Sequence, residues 1–307
     1  MSKNTDRVNV AVVILSWQKP VETMRCAKSV LTELERLADV GRHQVVIVDN
    51  GSDKEVVEVL KDFVDENSSE PLRLHLNTKN MGFAAGMNKG IGALDDISPH
   101  FYWLLNDDIK VLPGALRALI DSSIEAPQVK IWGPTILDSI TKNVECAGGC
   151  HYFRWLGMDK QVFGGKSPTQ IELKKAPNFD YIYGAAMFLR ADFVQAIGGL
   201  DDSYFLFYEE LELARQLNSP DQKAWCRKSV VEHDGVGSEL SKKPVCSVKS
   251  FHAALSAYRF TQKYSKRCLP TVVLSRIFGL TILAIRYQSP TLAAAPWRAL
   301  YAFLKGD

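Results

Sequence analysis

The residues best equipped for chemistry stand at the end of a short apolar run, Phe101-Tyr102-Trp103-Leu104-Leu105-Asn106-Asp107-Asp108. Five large apolar residues running into two carboxylates suit a strand buried on both faces. In an open α/β sheet, ligands bind where such strands end. Two adjacent carboxylates at that edge are costly unless a cation or a hydrogen-bond network compensates them. Asp49-Asn50-Gly51-Ser52 places a carboxylate and an amide at a second strand end, where they could hold a base or ribose or simply form an Asx-turn. Asn77 to Asn88 sets glycines and small residues at the start of a helix, whose N–H groups and dipole attract anions. Its spacing is neither GxGxxG nor GxxxxGK[ST], which disfavours a dehydrogenase or a P-loop ATPase. Glu209 and Glu210 follow the aromatic cluster Phe205-Leu206-Phe207-Tyr208, a setting that raises a carboxyl pKa toward general-base work. His233 ends a strand-like stretch.

The elements that must position these groups alternate. Val8 to Leu15, Val45 to Val48 and Leu72 to Leu76 have strand character. Pro20 to Leu37, Val56 to Phe63 and Phe83 to Leu94 have helical spacing. Strand–helix alternation implies parallel pairing with right-handed crossovers. A helix over Ala115 to Ser123 is followed by less regular alternation: a loop-like stretch from Gly157 to Pro177 and an apolar run from Tyr181 to Leu189.

The 307 residues suffice for one large α/β domain with a helical annex, and a hydrophobic content of 46% allows a sizeable core. Six cysteines lack a CxxC pair, and Cys146 and Cys150 flank Ala-Gly-Gly, so packed or reduced thiols explain them better than zinc. With no signal-peptide pattern at Met1 to Arg7, a reducing cytoplasm is the expected setting. From Arg259 onward eight basic residues face the single acid Asp307, a net of +7 that leaves −5 for the rest of a chain whose total is +2. Within this tail Thr271 to Tyr287 is apolar nearly all round, with Ser275, Arg276, Gly279 and Arg286 on one narrow face. Being short for a span and holding Arg276, it is expected either to lie in a membrane plane or to pack on the body.

Taken in order, these stretches resemble family 2 glycosyltransferases of the GT-A fold, in their rhamnosyltransferase-like branch. The resemblance rests on Ser16-Trp17-Gln18, Val48 to Ser52, Asn80 to Gly90, Leu105 to Asp108 with Pro113-Gly114, Tyr183 to Met187, Gly198 to Asp201, Tyr208 to Leu213, and His233 with Ser238. It covers roughly residues 8 to 265. It implies a Rossmann-like, mostly parallel sheet flanked by helices, with a catalytic domain over residues 1–250 and a basic helical extension over 251–307. The implied activity is inverting, metal-dependent sugar transfer from a nucleotide-diphosphate sugar, with dTDP-rhamnose the favoured donor. The implied acceptor is a glycan or a lipid-linked saccharide of the bacterial cell envelope. Ser16, Asp49, Asn80, Gly82, Phe83, Ala84, Asn88, Asn106 and Asp107 would contact or support the donor. Asp108 would ligate Mg²⁺ or Mn²⁺ on the diphosphate and His233 would add a ligand. The position of the base that deprotonates the acceptor hydroxyl falls on Glu210, with Glu209 the alternative or the partner in that role.

The chain departs from the family in having Glu210 and Glu212 where Asp is usual, Gln216 near an expected Arg, and Trp17-Gln18 in place of Tyr-Asn. A misplacement near 1 Å can cost about a hundredfold in rate, so the longer acids require a shifted backbone or a second acid. A sugar-nucleotide pyrophosphorylase would need a basic Gly-rich loop after the first strand, which Ser16 to Pro20 does not supply. The Glu-for-Asp changes keep a non-catalytic glycan- or nucleotide-binding relative as the competing reading. The basic tail suits an anionic inner leaflet, which predicts a peripheral membrane protein at the cytoplasmic face with no nucleic-acid partner.

Overall fold

The unbroken apolar run after Val8 forms strand β1 (Val10–Ser16), and its alternate residues enter opposite sides of the molecule. Val10, Val12 and Ile14 join one buried cluster, while Ala11 and Val13 join another. Burial on both faces is why the run shows no polar alternation. The structure is a computed structural model that describes residues 8–37, 41–234 and 246–306.

The expected alternation follows β1: α1 (Pro20–Glu35), β2 (His43–Asp49), α2 (Lys54–Glu66), β3 (Leu72–Leu76), α3 (Phe83–Gly92) and β4 (Phe101–Asn106). Next come β5 (Ile109–Val111), α4 (Ala115–Glu125), β6 (Ile131–Asp138), β7 (Val144–Ala147), β8 (Gly149–Phe153) and β9 (Met158–Gln161). The short helix α5 (Pro168–Ile171), β10 (Tyr181–Ile182), β11 (Ala186–Arg190), α6 (Ala191–Ile197), α7 (Glu209–Arg215) and β12 (Lys223–His233) complete the sheet region. Three long helices close the chain: α8 (Ser247–Tyr264), α9 (Leu269–Arg286) and α10 (Pro290–Lys305).

Among the described residues the main sheet runs β3-β2-β1-β4-β11-β6-β12-β5, with β7 on β6. The pairs among β3, β2, β1 and β4 are parallel, as the crossovers require. β11 then enters antiparallel between β4 and β6. The Tyr181 to Leu189 run is therefore two strands broken at Tyr183-Gly184-Ala185. Part of the supposed loop from Gly157 onward is β9, in a small second sheet of order β10-β8-β9.

The helical end shares the main core: Ala254, Leu255, Tyr258 and Phe260 of α8 belong to the same buried cluster as β1. The division expected at residue 250 thus falls inside α8. The apolar tail stretch is longer than its sequence suggested. A short 3₁₀ turn leads into α9, so Lys266–Arg286 is one helical run of 21 residues, long and apolar enough by length and composition to cross a membrane. Its inner side is nonetheless committed to protein, with Val272 and Ala284 buried and Arg276 bonded to the Gly157 carbonyl and, at 3.0 Å, to the Tyr208 hydroxyl. The cysteines are all free among the described residues, and only Cys246 is exposed.

Candidate active site

Three parallel strands end in line. Ser16 pairs with Asp49, and Leu15 with Asn106, so the chain turns carrying Asp49 and Asp107-Asp108 fall on one sheet edge. β12 returns beside β5 with His233 opposite Ile109, which brings the imidazole next to the Asp108 carboxylate. His233 Nε2 lies 3.1 Å from Asp108 Oδ1, and His233 Nδ1 lies 2.8 Å from Glu145 Oε2. Glu145 Oε1 accepts a 2.8 Å hydrogen bond from the Tyr183 hydroxyl. Glu145 was missed in the sequence because a lone acid inside the short strand Val144–Ala147 carries no turn or motif signal.

Lys19 also enters this corner. Its ammonium is 2.8 Å from Asp108 Oδ2 and 3.4 Å from Asp107 Oδ1, and Trp17 N–H donates to Asp107 Oδ2 at 3.4 Å. Burial raises the Asp107 carboxyl to about 6, against the pull of Lys19. Burial acts on Asp108 in the same sense, but His233 and Lys19 prevail and hold it well below the usual carboxylate range. Burial alone would lower His233, yet Asp108 and Glu145 carry it up to about 10.

Asp108 Oδ1 is buried without a hydrogen bond and faces the His233 nitrogen, a carboxylate–imidazole pair suited to Mn²⁺ or Mg²⁺. Among the described residues no group of three or more His, Cys, Asp or Glu is placed to hold an ion unaided. Asp108 and His233 could thus supply two ligands to such an ion, as is usual where Mg²⁺ is held by one or two carboxylates and completed by other oxygens.

On the neighbouring turn, Asp49 Oδ2 accepts the N–H groups of Gly51 and Ser52 at 3.1 and 3.0 Å, while the buried Oδ1 has no partner. That acceptor is left free to take a further donor. Asn50 has a different task. Its Nδ2 donates to Asn80 Oδ1 and the Gly82 carbonyl, and its Oδ1 accepts from Met81 N–H and Asn77 Nδ2, at 3.0–3.1 Å throughout. This amide clasps the Asn77–Gly82 loop to the sheet edge. Gly82 is required there: its φ is +87°, and a Cβ would sit 2.3 Å from the Phe205 carbonyl.

Several expected donor contacts are used otherwise. The Phe83 N–H donates to the Phe205 carbonyl at 2.8 Å, so this donor at the helix start is not open to an anion. Asn88 spends both ends of its amide on the Leu200 backbone, at 2.9 Å each. Ser16 is fully buried with its hydroxyl 2.7 Å from that of Thr23, and Ala84 packs in the core. The Ser16 hydroxyl, the Asn88 amide and the Phe83 N–H are thus engaged within the protein, while the Phe83 residue itself lines the adjoining cavity. Asn106, Asn80, Gly82 and Asp107 do gather around it. Ser238, expected to follow His233 in the site, lies outside the described residues.

The acids of α7 face a cavity of about 340 Å³ lined by Phe83, Asn106, Tyr152, Asp159, Tyr183 and Glu210, among others. Phe207 and Tyr208, at φ +67° and +79°, turn the chain left-handed just before Glu209 and direct the start of the helix inward. Burial pushes Glu210 up to about 7, and the Asp159 charge adds to the rise. Glu209 is raised further, by burial and then by Glu210, and its Oε2 is buried without a partner. Burial therefore raises both carboxyls of this pair, Glu209 more than Glu210. Glu212, by contrast, is structural. Its carboxylate accepts from Lys263 at 2.8 Å, Tyr204 at 3.2 Å and Tyr264, which anchors α8. Its extra methylene relative to Asp is taken up in reaching that helix.

The chain accommodates the longer Glu210 arm at Gly184, where a Cβ would lie 1.9 Å from Glu210 Oε1. Gly184→Ala should therefore displace Glu210 and lower any turnover by about a hundredfold, while the fold holds. A crystal structure of the variant with Glu210 unmoved would remove this role for Gly184. Asn106 N–H donates to the Ala185 carbonyl at 3.0 Å, fixing this wall to the strand that ends in the Asp pair.

The sheet edge with its acidic tip, the backing histidine and the adjacent acid-lined cavity form one continuous region of an α/β fold of the GT-A class. The family model described as Glycosyl transferase family 2 matches residues 12–195, and the chain belongs to that family. It is similar to the low-salt glycan biosynthesis hexosyltransferase Agl10 of Haloferax volcanii, with 26% identity over 175 residues. That match covers 56% of this chain and 52% of the relative, so the chain spans about half the length of the curated relative it matches. Among solved structures it resembles GalNAc-T7 with UDP, GalNAc and Mn²⁺, at TM-score 0.59 and 16% identity, over 97% of this chain and 58% of that one. It also resembles the mannosyltransferase PcManGT from Pyrobaculum calidifontis with GDP-Man and Mn²⁺, at TM-score 0.55 and 13% identity, over 98% and 88%. These likenesses establish the GT-A fold.

Proposed function

We propose that this protein is an inverting glycosyltransferase that moves a hexose from a nucleotide-diphosphate sugar to a saccharide acceptor. The observation that carries the reading is Glu210, a carboxylate raised to about 7 inside a cavity that also reaches Asn106, beside the Asp107-Asp108 edge. The acceptor hydroxyl gives its proton to Glu210, and its oxygen attacks the anomeric carbon from the face opposite the nucleotide. The bond to the diphosphate breaks, and the nucleoside diphosphate leaves with that electron pair. Asp49 Oδ1 and the loop clasped by Asn50 hold the nucleoside. Asp108 and His233 would hold Mg²⁺ or Mn²⁺, which supplies neutralisation of the leaving diphosphate. Lys19 adds a fixed positive charge at the same corner, and the Tyr183–Glu145 bond steadies His233 from behind.

The favoured donor is dTDP-rhamnose, on the resemblance of the motifs, and the favoured acceptor is a lipid-linked saccharide of the cell envelope. A tail that carries the apolar α9 within a net charge of +7 fits work at the inner face of the membrane. A thermal-shift screen of nucleotide sugars with Mn²⁺ or Mg²⁺ tests the donor. A donor present at about 100 times its Kd adds about 2.7 kcal/mol of stability, a rise of several degrees. dTDP-rhamnose should raise the midpoint more than UDP- or GDP-sugars do. If no nucleotide sugar moves it, the transferase reading fails.

A further inference from the structure

Large exposed apolar side chains occur on several elements, and two neighbouring ones bring theirs together. On α9, Leu274, Phe278, Ile282 and Ile285 are exposed, Phe278 to 69%. At about 100° per residue they fall within one arc of about 80°. Beside this helix, the turn between β8 and β9 exposes Phe153, Trp155, Leu156 and Met158. The two elements touch: Ser275 Oγ lies 3.8 Å from Met158 Sδ, and Arg276 bonds the Gly157 carbonyl. Apolar surface collected in this way marks an interaction site.

Its charge identifies the partner. Exposed Arg154 and Lys160 outnumber the exposed acid Asp159 on the hairpin, Lys266 and Arg267 precede α9, and Arg286 ends it. No Asp or Glu occurs from Lys266 to Gly306. A second copy meeting this face through its own would set these cations against one another. An anionic bilayer instead complements both the cations and the apolar arc. The base of the same hairpin supplies Tyr152, Asp159 and Gln161 to the cavity that holds Glu210.

We propose that the β8–β9 hairpin and the outer face of α9 together seat on an anionic lipid surface. The Glu210 cavity then opens beside the bilayer that delivers a lipid-linked acceptor, a consequence that rests on the transferase reading above. The test is sedimentation of the full chain with vesicles of phosphatidylcholine containing about one-third phosphatidylglycerol, compared with phosphatidylcholine alone. Each basic residue near an anionic surface contributes about fivefold, so neutral vesicles should bind at least about tenfold less protein. Trp155→Ser with Leu156→Ser, and separately Phe278→Ser with Ile282→Ser, should each weaken anionic-vesicle binding by about tenfold or more. Their melting temperature should hold, since these side chains are exposed in the free protein. Variants that sediment like the parent overturn the proposal. So does a concentration-dependent dimer that the same substitutions dissolve. Vesicle binding is read without any donor or acceptor, so inactivity toward nucleotide sugars would count against the transferase reading and leave the docking result intact.

Discussion

Glu210→Gln is expected to remove the acceptor-activating base and lower transfer by about 10²–10⁴-fold, the range general-base catalysis supplies. The substitution keeps the shape of the side chain and removes only its capacity to take a proton. Donor affinity should therefore persist, and the loss should fall on kcat. The parent enzyme should show the matching pH dependence. Burial places Glu210 at about 7, so the proton-bound, inactive form dominates below that value. Transfer should climb with pH through about 7 and then level, falling about tenfold per unit on the acid side. Asp159 contributes to the raised value, so Asp159→Asn should move the midpoint to lower pH. Initial rates with a radiolabelled donor across pH would show this. Turnover unchanged in Glu210→Gln would strip Glu210 of the role, and a midpoint near the ordinary carboxyl value would argue for another group.

Asp108→Asn is the second change with a large expected effect. The residue brings a buried, hydrogen-bond-free oxygen to within 3.1 Å of His233 Nε2, and its other oxygen holds Lys19 at 2.8 Å. Its loss leaves two cationic partners without their shared anion and takes a hard oxygen ligand from the corner. Divalent-ion stabilisation of a leaving group is worth several kcal/mol, so turnover should drop by about 10²–10³-fold. The Mn²⁺ concentration for half-maximal rate should also rise. Titrating activity against Mn²⁺ and Mg²⁺ separates the two effects. A variant with the parent's rate and metal response would place the ion elsewhere.

The parallel part of the fold was legible because its strands are buried on both faces and its helices on one, giving two distinct sequence periods. The antiparallel β11 and the β8–β9–β10 sheet were not. β10 has two residues and β9 has four, too few for a period to emerge, and Tyr183 to Ala185 carries no polar turn signal. In the site, the acidic tip, the Asp49 turn and the pair before Leu211 stood out because each breaks an apolar stretch. Glu145 and Lys19 did not, because nothing near them in sequence reveals the partners that the sheet brings across from β12 and β4. Asn50 and Asn88 show the opposite limit. An amide in the right motif can be spent wholly within the protein, on loop side chains and backbone for Asn50 and on backbone for Asn88, and only its partners reveal that.

The bond from Asn106 N–H to the Ala185 carbonyl extends the β4–β11 pairing and bears on which changes this chain could tolerate. It joins the strand that delivers Asp107 and Asp108 to the wall against which Glu210 lies. An insertion at residues 183–186 would therefore shift nucleophile activation and leaving-group binding together, and a lineage could rarely survive it. The hairpin tip and the exposed stretch 172–176 lie outside that frame. Changes in acceptor preference among descendants of this chain should accumulate there as altered loop length, leaving the distance between base and diphosphate as an inherited constant.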